Sequence, residues 1–223
     1  MPIPTIPSYA LPPEDTWPAS RAQWTLDRSR SALLIHDMQS YFLAPYDRAA
    51  PPLAPVLRSI GALRDACERA GVPVLFSVQP GEQSRSERGL LWDLWGTGIV
   101  EFPDTAQVGL AAGPRSNEHV VEKRRYSAFF ETRMENLLDE LGRDQLIITG
   151  VYGHIGCLAT AVDGFMRDVQ PFLVGDAIAD FSRADHETAL RQVSRTCGRV
   201  IAARDVLEIL GGEDESAQRV AAV

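Results

Sequence analysis

Cysteine is scarce: Cys67, Cys157 and Cys197 are the only three among 223 residues. Three thiols, odd in number and far apart, build neither a disulfide framework nor a CxxC metal site. Positive charge is the second shortage. Lys and Arg number 22 against 30 Asp and Glu, a formal net charge of −8. That balance argues against the basic face that nucleic acid or an anionic membrane surface requires, yet a few local cations can still bind a small anion. Long apolar runs are also missing. No stretch reaches the roughly 18 consecutive apolar residues of a membrane-crossing helix, and the first residues lack the charged and apolar regions of a secretory signal. The expectation is a soluble cytoplasmic protein with no nucleic-acid partner and no membrane.

What is present suits one large domain. Apolar residues make up 45% of the chain and charged ones 23%, enough to bury a sizeable core. Pro2, Pro4, Pro7, Pro12, Pro13 and Pro18 mark residues 1–30 as an extended arm lying over the domain. From Ala32 the pattern alternates between short apolar runs and 3.6-residue periodicity. Residues 32–37 read as a strand, and Val56, Ile60, Leu63, Cys67 and Ala70 as a helix stopped by Gly71. Strands follow at 72–78, 119–122, 145–149, 171–174 and 199–203. The intervening helix faces carry Met134, Leu137, Leu138 and Leu141, then Leu158, Val162 and Phe165, then Leu190, Val193 and Cys197. Residues 79–117 are too long for a plain connection and read as a functional loop with short helical pieces. Residues 211–223 read as a polar tail, which leaves 31–210 as the domain. Strand and helix alternating in this way predict an α/β fold: a six-stranded parallel sheet with helices on both faces, three-layer α/β/α and Rossmann-like.

In such a sheet ligands bind beyond the carboxyl ends of the strands. Those exits carry His36 and Asp37, Gln79, Lys123, the glycine-rich stretch 150–156, and Gly175 with Asp176. Polar residues at strand ends follow partly from strands stopping at the surface. The kinds present say more: one acid, one amide, one cation and a glycine turn converging on a single crevice. A carboxyl beside a lysine, near free N–H groups at a helix start, performs acid–base work on an anion.

Leu33-Leu-Ile-His-Asp-Met-Gln39, Lys123-Arg-Arg-Tyr-Ser-Ala-Phe129 and Gly150-Val-Tyr-Gly-His-Ile-Gly-Cys157 strongly resemble the isochorismatase family. Asp163-Gly-Phe-Met-Arg-Asp168 and Asp176-Ala-Ile-Ala-Asp-Phe-Ser182 extend the match over nearly the whole chain. The resemblance is to the isochorismatases of catechol-siderophore pathways and the phenazine-pathway hydrolase. It implies hydrolysis of the enolpyruvyl side chain of isochorismate, or of its 2-amino-2-deoxy analogue, with no metal and no organic cofactor. It further implies Asp37, Lys123 and Gly156 as the catalytic set. Gln79 and Arg88 would bind the substrate's anionic groups, with Phe42, Trp95 and Tyr152 as the walls of its pocket. A lysine beside a carboxyl favours the carboxylate, whereas vinyl-ether protonation uses the acid; the substrate's own carboxylates and a closing, drying pocket are expected to restore the acid form. The resemblance also implies a homodimer or higher homo-oligomer and, where a carrier is used, a separate aryl carrier protein.

Gly156 stands where related amide-hydrolysing enzymes carry a nucleophilic cysteine. Cys157 is displaced by about 100° around a helix, so amide hydrolysis is disfavoured, and intact Asp37 and Lys123 argue against a silent scaffold. Duller readings accompany each residue. His36 reads as a buried histidine with satisfied nitrogens, His154 as a supporting group in the turn, Arg125 as structural and Cys157 as packing. Trp92 and Trp95 share a helix face. Asp176, Asp180 and Asp185 read as caps and turn residues, and no His/Asp cluster has metal spacing. Arg124 replaces the family's usual tryptophan and places a cation near the mouth, while Tyr152-Gly153-His154 replaces the usual Tyr-Ala-His.

Overall fold

The computed structural model describes residues 3–99 and 113–211. Six strands form one parallel sheet: β1 (Ser31–His36), β2 (Val74–Val78), β3 (His119–Glu122), β4 (Gln145–Val151), β5 (Gln170–Ala179) and β6 (Arg199–Ile201). Their spatial order is β3-β2-β1-β4-β5-β6. The chain winds outward from β1 in one direction and then from β4 in the other. The order therefore reverses between β1 and β4, which is where a doubly wound sheet opens a crevice.

Side chains of the central strands alternate between two apolar layers, as the strand period of two requires. Leu33, Ile35, Phe76, Ile147 and Phe172 face one layer, together with Val56, Ile60, Leu63 and Cys67 of helix α2 (Leu53–Ala70). Ala32, Leu34, Leu75, Leu146, Ile148 and Leu173 face the other. There they meet α5 (Met134–Glu140), α6 (Leu158–Phe165) and α7 (Arg183–Thr196). Three short helices complete the numbering, α1 (Ser40–Leu43), α3 (Arg85–Arg88) and α4 (Leu91–Trp95). The proline-rich arm lies on the first layer, where Ile6 and Leu26 are buried and Ile3 and Leu11 pack beside them.

Three sequence expectations need correction. The last strand ends at Ile201, not Ala203, and residues 203–211 form a helix, α8. Val206 and Leu210 bury one face of it against the first layer, a spacing of four that the short segment hid. Strand β5 does not end at Gly175. Beyond a bulge its pairing resumes with Gly150 opposite Ile178 and Val151 opposite Ala179, so the exit residues are Asp180 and Phe181. Residues 153–157 are not a simple turn, because they coil into a single π-helical turn that runs directly into α6. Most of the expected polar tail, residues 212–223, lies outside the described residues, as do 100–112 of the long loop. Among the described residues, no helix is long and apolar enough to cross a membrane.

Candidate active site

Asp37 follows the last residue of β1 with its backbone in the left-handed region, φ 49°. That conformation is uncommon outside glycine, costs on the order of 1 kcal/mol or more, and gathers at functional sites. Its carboxylate is held at both oxygens. Ser77 Oγ of β2 donates to Oδ1 at 2.6 Å and itself accepts the Asp37 N–H at 3.1 Å. Lys123 Nζ reaches Oδ2 at 2.7 Å. Strand β2 lies between the strands carrying these two residues, so only a long stem closes the gap. The Lys123 side chain is fully buried. Its remaining ammonium protons go to the carbonyls of Arg125 at 2.9 Å and Tyr126 at 3.2 Å. A buried ammonium needs such saturation to offset its lost hydration.

Gln79 is anchored by its backbone. Gln39 Nε2 donates to the Gln79 carbonyl at 2.9 Å, and the Gln79 N–H donates to Gln39 Oε1 at 2.7 Å, tying the exits of β1 and β2 together. Arg88 stands on α3, a one-turn helix started by a capping box in which Ser84 and Glu87 exchange side-chain and backbone bonds. Its Nε donates to the Gly96 carbonyl at 2.6 Å, and Nη1 is buried with no hydrogen-bond partner among the described residues. Burial presses on the charged form of this guanidinium, which nonetheless stays ionised near neutrality. Arg88 as a residue borders the cavity, where its fixed positive charge suits an anion, while Nη1 itself packs against Gly98.

Aromatic rings form the rest of the wall. Tyr46, Tyr152, Phe181 and Trp95 stack in series, with centroids 6.1, 4.3 and 5.9 Å apart. Phe42 meets Tyr152 edge-on and accepts the Tyr152 hydroxyl on its carbonyl at 2.8 Å. Trp95 Nε1 donates to the Tyr126 hydroxyl at 2.8 Å. Phe42, Trp95, Tyr126, Tyr152 and Phe181, with Tyr46 stacked behind them, border a cavity that opens to solvent at its mouth. Asp37, Lys123, Gly156, Gln79, Arg88, Phe42, Trp95 and Tyr152, the eight residues singled out from sequence, all line it. Two cations against one carboxylate leave the lining positive inside a chain of net charge −8, which favours an anionic substrate.

Sequence reasoning missed other lining groups, notably Tyr126, Tyr41 and Phe181, as well as Ser77 behind Asp37. Ser77 left a legible signal, a lone hydroxyl in the apolar run of β2. Phe181 left none, because its arrival depends on the β5 bulge. Arg124 does not line the cavity; it forms an exposed ion pair with Glu122 at 3.0 Å.

One expectation about supporting residues is extended and one changes. Asp180 caps the π turn and does more besides. It is fully buried, accepts the His154 Nδ1 at 2.6 Å and the His154 and Phe181 backbone N–H groups at 2.6 and 2.9 Å, and thereby holds His154 above its ordinary pKa. Asp185 lies close enough that the three could share a cation, but the Asp180 oxygens are already occupied by those N–H donors. His36 is buried with only one close ring contact: Nδ1 bonds the Val151 carbonyl at 3.0 Å, while among the described residues Nε2 makes no close hydrogen bond and is left with a weaker interaction with the Tyr126 backbone. Burial depresses its pKa to about 4, so the ring is neutral. Cys157 is also fully enclosed, and burial pushes its thiol well above the ordinary value, which leaves no thiolate to attack a substrate.

Comparison with known proteins identifies the family. The family model "Isochorismatase domain" matches residues 31–205. Enterobactin synthase component B of Escherichia coli (strain K12) is 45% identical over 207 residues, covering 93% of this chain and 73% of that protein. Phenazine biosynthesis protein PhzD of Pseudomonas fluorescens is 42% identical over 205 residues, covering 92% of this chain and 98% of that one. Among solved structures, a cysteine hydrolase from Pseudomonas syringae pv. phaseolicola superposes with a TM-score of 0.78 at 24% identity, covering 88% of this chain and 99% of that one; that likeness concerns the fold alone. The parallel sheet, the match over residues 31–205 and the identity to these relatives place the chain in the isochorismatase family of hydrolases.

Proposed function

We propose that this chain hydrolyses the enol-ether side chain of isochorismate to pyruvate and 2,3-dihydro-2,3-dihydroxybenzoate. The observation that carries the reading is the buried Asp37–Lys123 pair at 2.7 Å, set in the wall of a positively lined aromatic cavity. The difficult step is protonation of a vinyl ether at carbon. Asp37 delivers its proton to the terminal methylene, which leaves an oxocarbenium ion and an aspartate. Lys123 and the Ser77 hydroxyl stabilise the carboxylate as it forms, an interaction stronger in the transition state than before it. Water adds to the oxocarbenium carbon, its proton returns to Asp37, and the hemiketal collapses to pyruvate and the free ring hydroxyl. A substrate carboxylate approaching Lys123 and the positive charge of Arg88 competes for the ammonium, which allows Asp37 Oδ2 to carry its proton at the start.

Pyruvate release from isochorismate, read through lactate dehydrogenase, tests this directly. Asp37→Asn should cost about 10²–10⁴-fold in kcat, and Cys157→Ala should leave the reaction running. The same assay with 2-amino-2-deoxyisochorismate decides between the two ring substituents through the ratio of rates. Absence of pyruvate from both compounds, with ammonia released from an amide instead, would overturn the reading.

A further inference from the structure

Gly156 presents no side chain within the π turn. The packing around it shows what takes the space. A Cβ built on Gly156 would stand 2.3 Å from Cε1 of His36 and 3.1 Å from each of its ring nitrogens. Contacts under 3.0 Å force one partner to move. The ring has little freedom to do so. Nδ1 is bound to the Val151 carbonyl at 3.0 Å, and the imidazole is wholly buried. The backbone beneath it is pinned as well: His36 pairs with Ser77 on one side and Gly150 on the other. A Cβ at Gly150 would come within 2.1 Å of the His36 carbonyl oxygen.

We propose that His36 is a specificity-determining residue whose ring occupies the volume a side chain at position 156 needs, so that the two positions act as one unit that excludes a covalent nucleophile from the helix start. The inference rests on the hydrolase reading above for its functional meaning, although its geometry does not. It also accounts for an otherwise wasteful choice. Leu33, Leu34 and Ile35 precede His36 in β1, and another branched aliphatic residue would continue that strand without burying a ring nitrogen that makes no close hydrogen bond among the described residues. The imidazole contributes shape: a flat, rigid body with one anchored nitrogen, filling the gap between β1 and the π turn. With the gap filled, the cavity floor at Gly156 stays bare backbone, and Asp37, one residue further on, is the reactive group left facing the substrate.

The test uses four full-length proteins: wild type, Gly156→Cys, His36→Val and the double variant. Three readings are taken on each, namely the thermal midpoint, alkylation of the introduced thiol by iodoacetamide in the native state, and pyruvate release. Gly156→Cys alone should lower the midpoint and reduce pyruvate release at least about 100-fold. The double variant should regain more than half of the lost midpoint and at least tenfold of the lost rate, because the new side chain then enters the vacated volume. Its thiol should alkylate at least ten times faster than in the single variant. Should Gly156→Cys not fold, the smaller pair Gly156→Ala and His36→Val/Gly156→Ala supplies the same comparison of midpoint and rate. The proposal is overturned if the double variant is no more stable and no more active than the position-156 variant alone, or if Gly156→Cys matches wild type with His36 in place. Midpoint and alkylation need no isochorismate. If they couple as expected while wild type releases no pyruvate, the hydrolase reading has failed and the steric unit stands.

Discussion

Two buried ion pairs stand at opposite ends of β3, and they share almost nothing but charge. At the strand's entry, Glu118 meets Arg64 of α2 through two short bonds, Nε to Oε1 at 2.7 Å and Nη2 to Oε2 at 2.6 Å. The Arg115 N–H adds a third donor to the carboxylate, and the guanidinium lies over the Phe76 ring at 5.2 Å. At the exit, Lys123 meets Asp37 through one oxygen, and that carboxylate borders the cavity. The first pair is a closed fork with three protein donors on the one carboxylate. The second keeps a reactive atom facing space that substrate can fill. A planar, bidentate guanidinium suits the former, and a point charge on a long stem suits the latter. Stability and chemistry are thus separated along four residues of one strand.

Removing one member of each pair sharpens the contrast. Glu118→Gln should cost about 3 kcal/mol of folding stability, since the Arg64 guanidinium loses this carboxylate's negative charge, while pyruvate release under native conditions holds. Urea unfolding and the coupled assay on one preparation read both quantities. A parallel loss of turnover would show that the entry pair is not merely structural. Acid should act on Glu118 too. Burial alone would raise its pKa, but the Arg64 bonds and the Arg115 N–H outweigh it and hold the group below its ordinary value. Its contribution is therefore present above that ordinary value and lost as pH falls through the lowered one.

The exit end carries a different acid sensitivity, at a higher pH. His36 has its pKa lowered from 6.5 to about 4 by burial, so the unfolded chain takes up a proton that the folded chain refuses. Stability from this source is complete above pH 6.5 and is lost as pH falls toward 4, by roughly 2–3 kcal/mol near pH 4.5. His36→Val should flatten that part of the stability–pH curve. An unchanged slope between pH 7 and 4.5 would contradict the neutral, buried ring.

Ser77→Ala probes the hydroxyl behind Asp37. It should lower kcat about tenfold, corresponding to about 1.4 kcal/mol for one hydrogen bond to a charged oxygen, with KM little changed. A rise in KM alone would instead place Ser77 in substrate binding. The smallest effect belongs to Arg124→Ala. Its pair with Glu122 is exposed on both sides, so stability should move by less than about 0.5 kcal/mol, and steady-state rates should stay near wild type.

Legibility followed the range of the interaction. The apolar run at 32–37 and the 3.6-residue spacing of Val56, Ile60 and Leu63 are local patterns, and β1 and α2 form where they point. Asp37, Gln79 and Lys123 were readable because a parallel sheet brings every strand exit to one edge. Ser77 was readable in principle, as a hydroxyl in an apolar strand. Phe181 and Asp180 were not: the β5 bulge shifts its register against β4, and no residue pattern announces that shift. Helix α8 escaped notice because two apolar residues four apart, Val206 and Leu210, are too few to establish a period.

The amino-acid sequence by itself determined the layered α/β architecture, the kinds of reactive group at the strand ends, and the absence of a thiol at position 156. These follow from side-chain periodicity and chain order, which are properties of neighbours along the chain. Tertiary structure alone decided that Lys123 bridges past β2 to one oxygen of Asp37, that Arg88 reaches the cavity wall, and that His36 fills the space beside Gly156. Each of those depends on distances of a few ångströms between residues tens of positions apart, which are set only when the two apolar layers pack against the sheet.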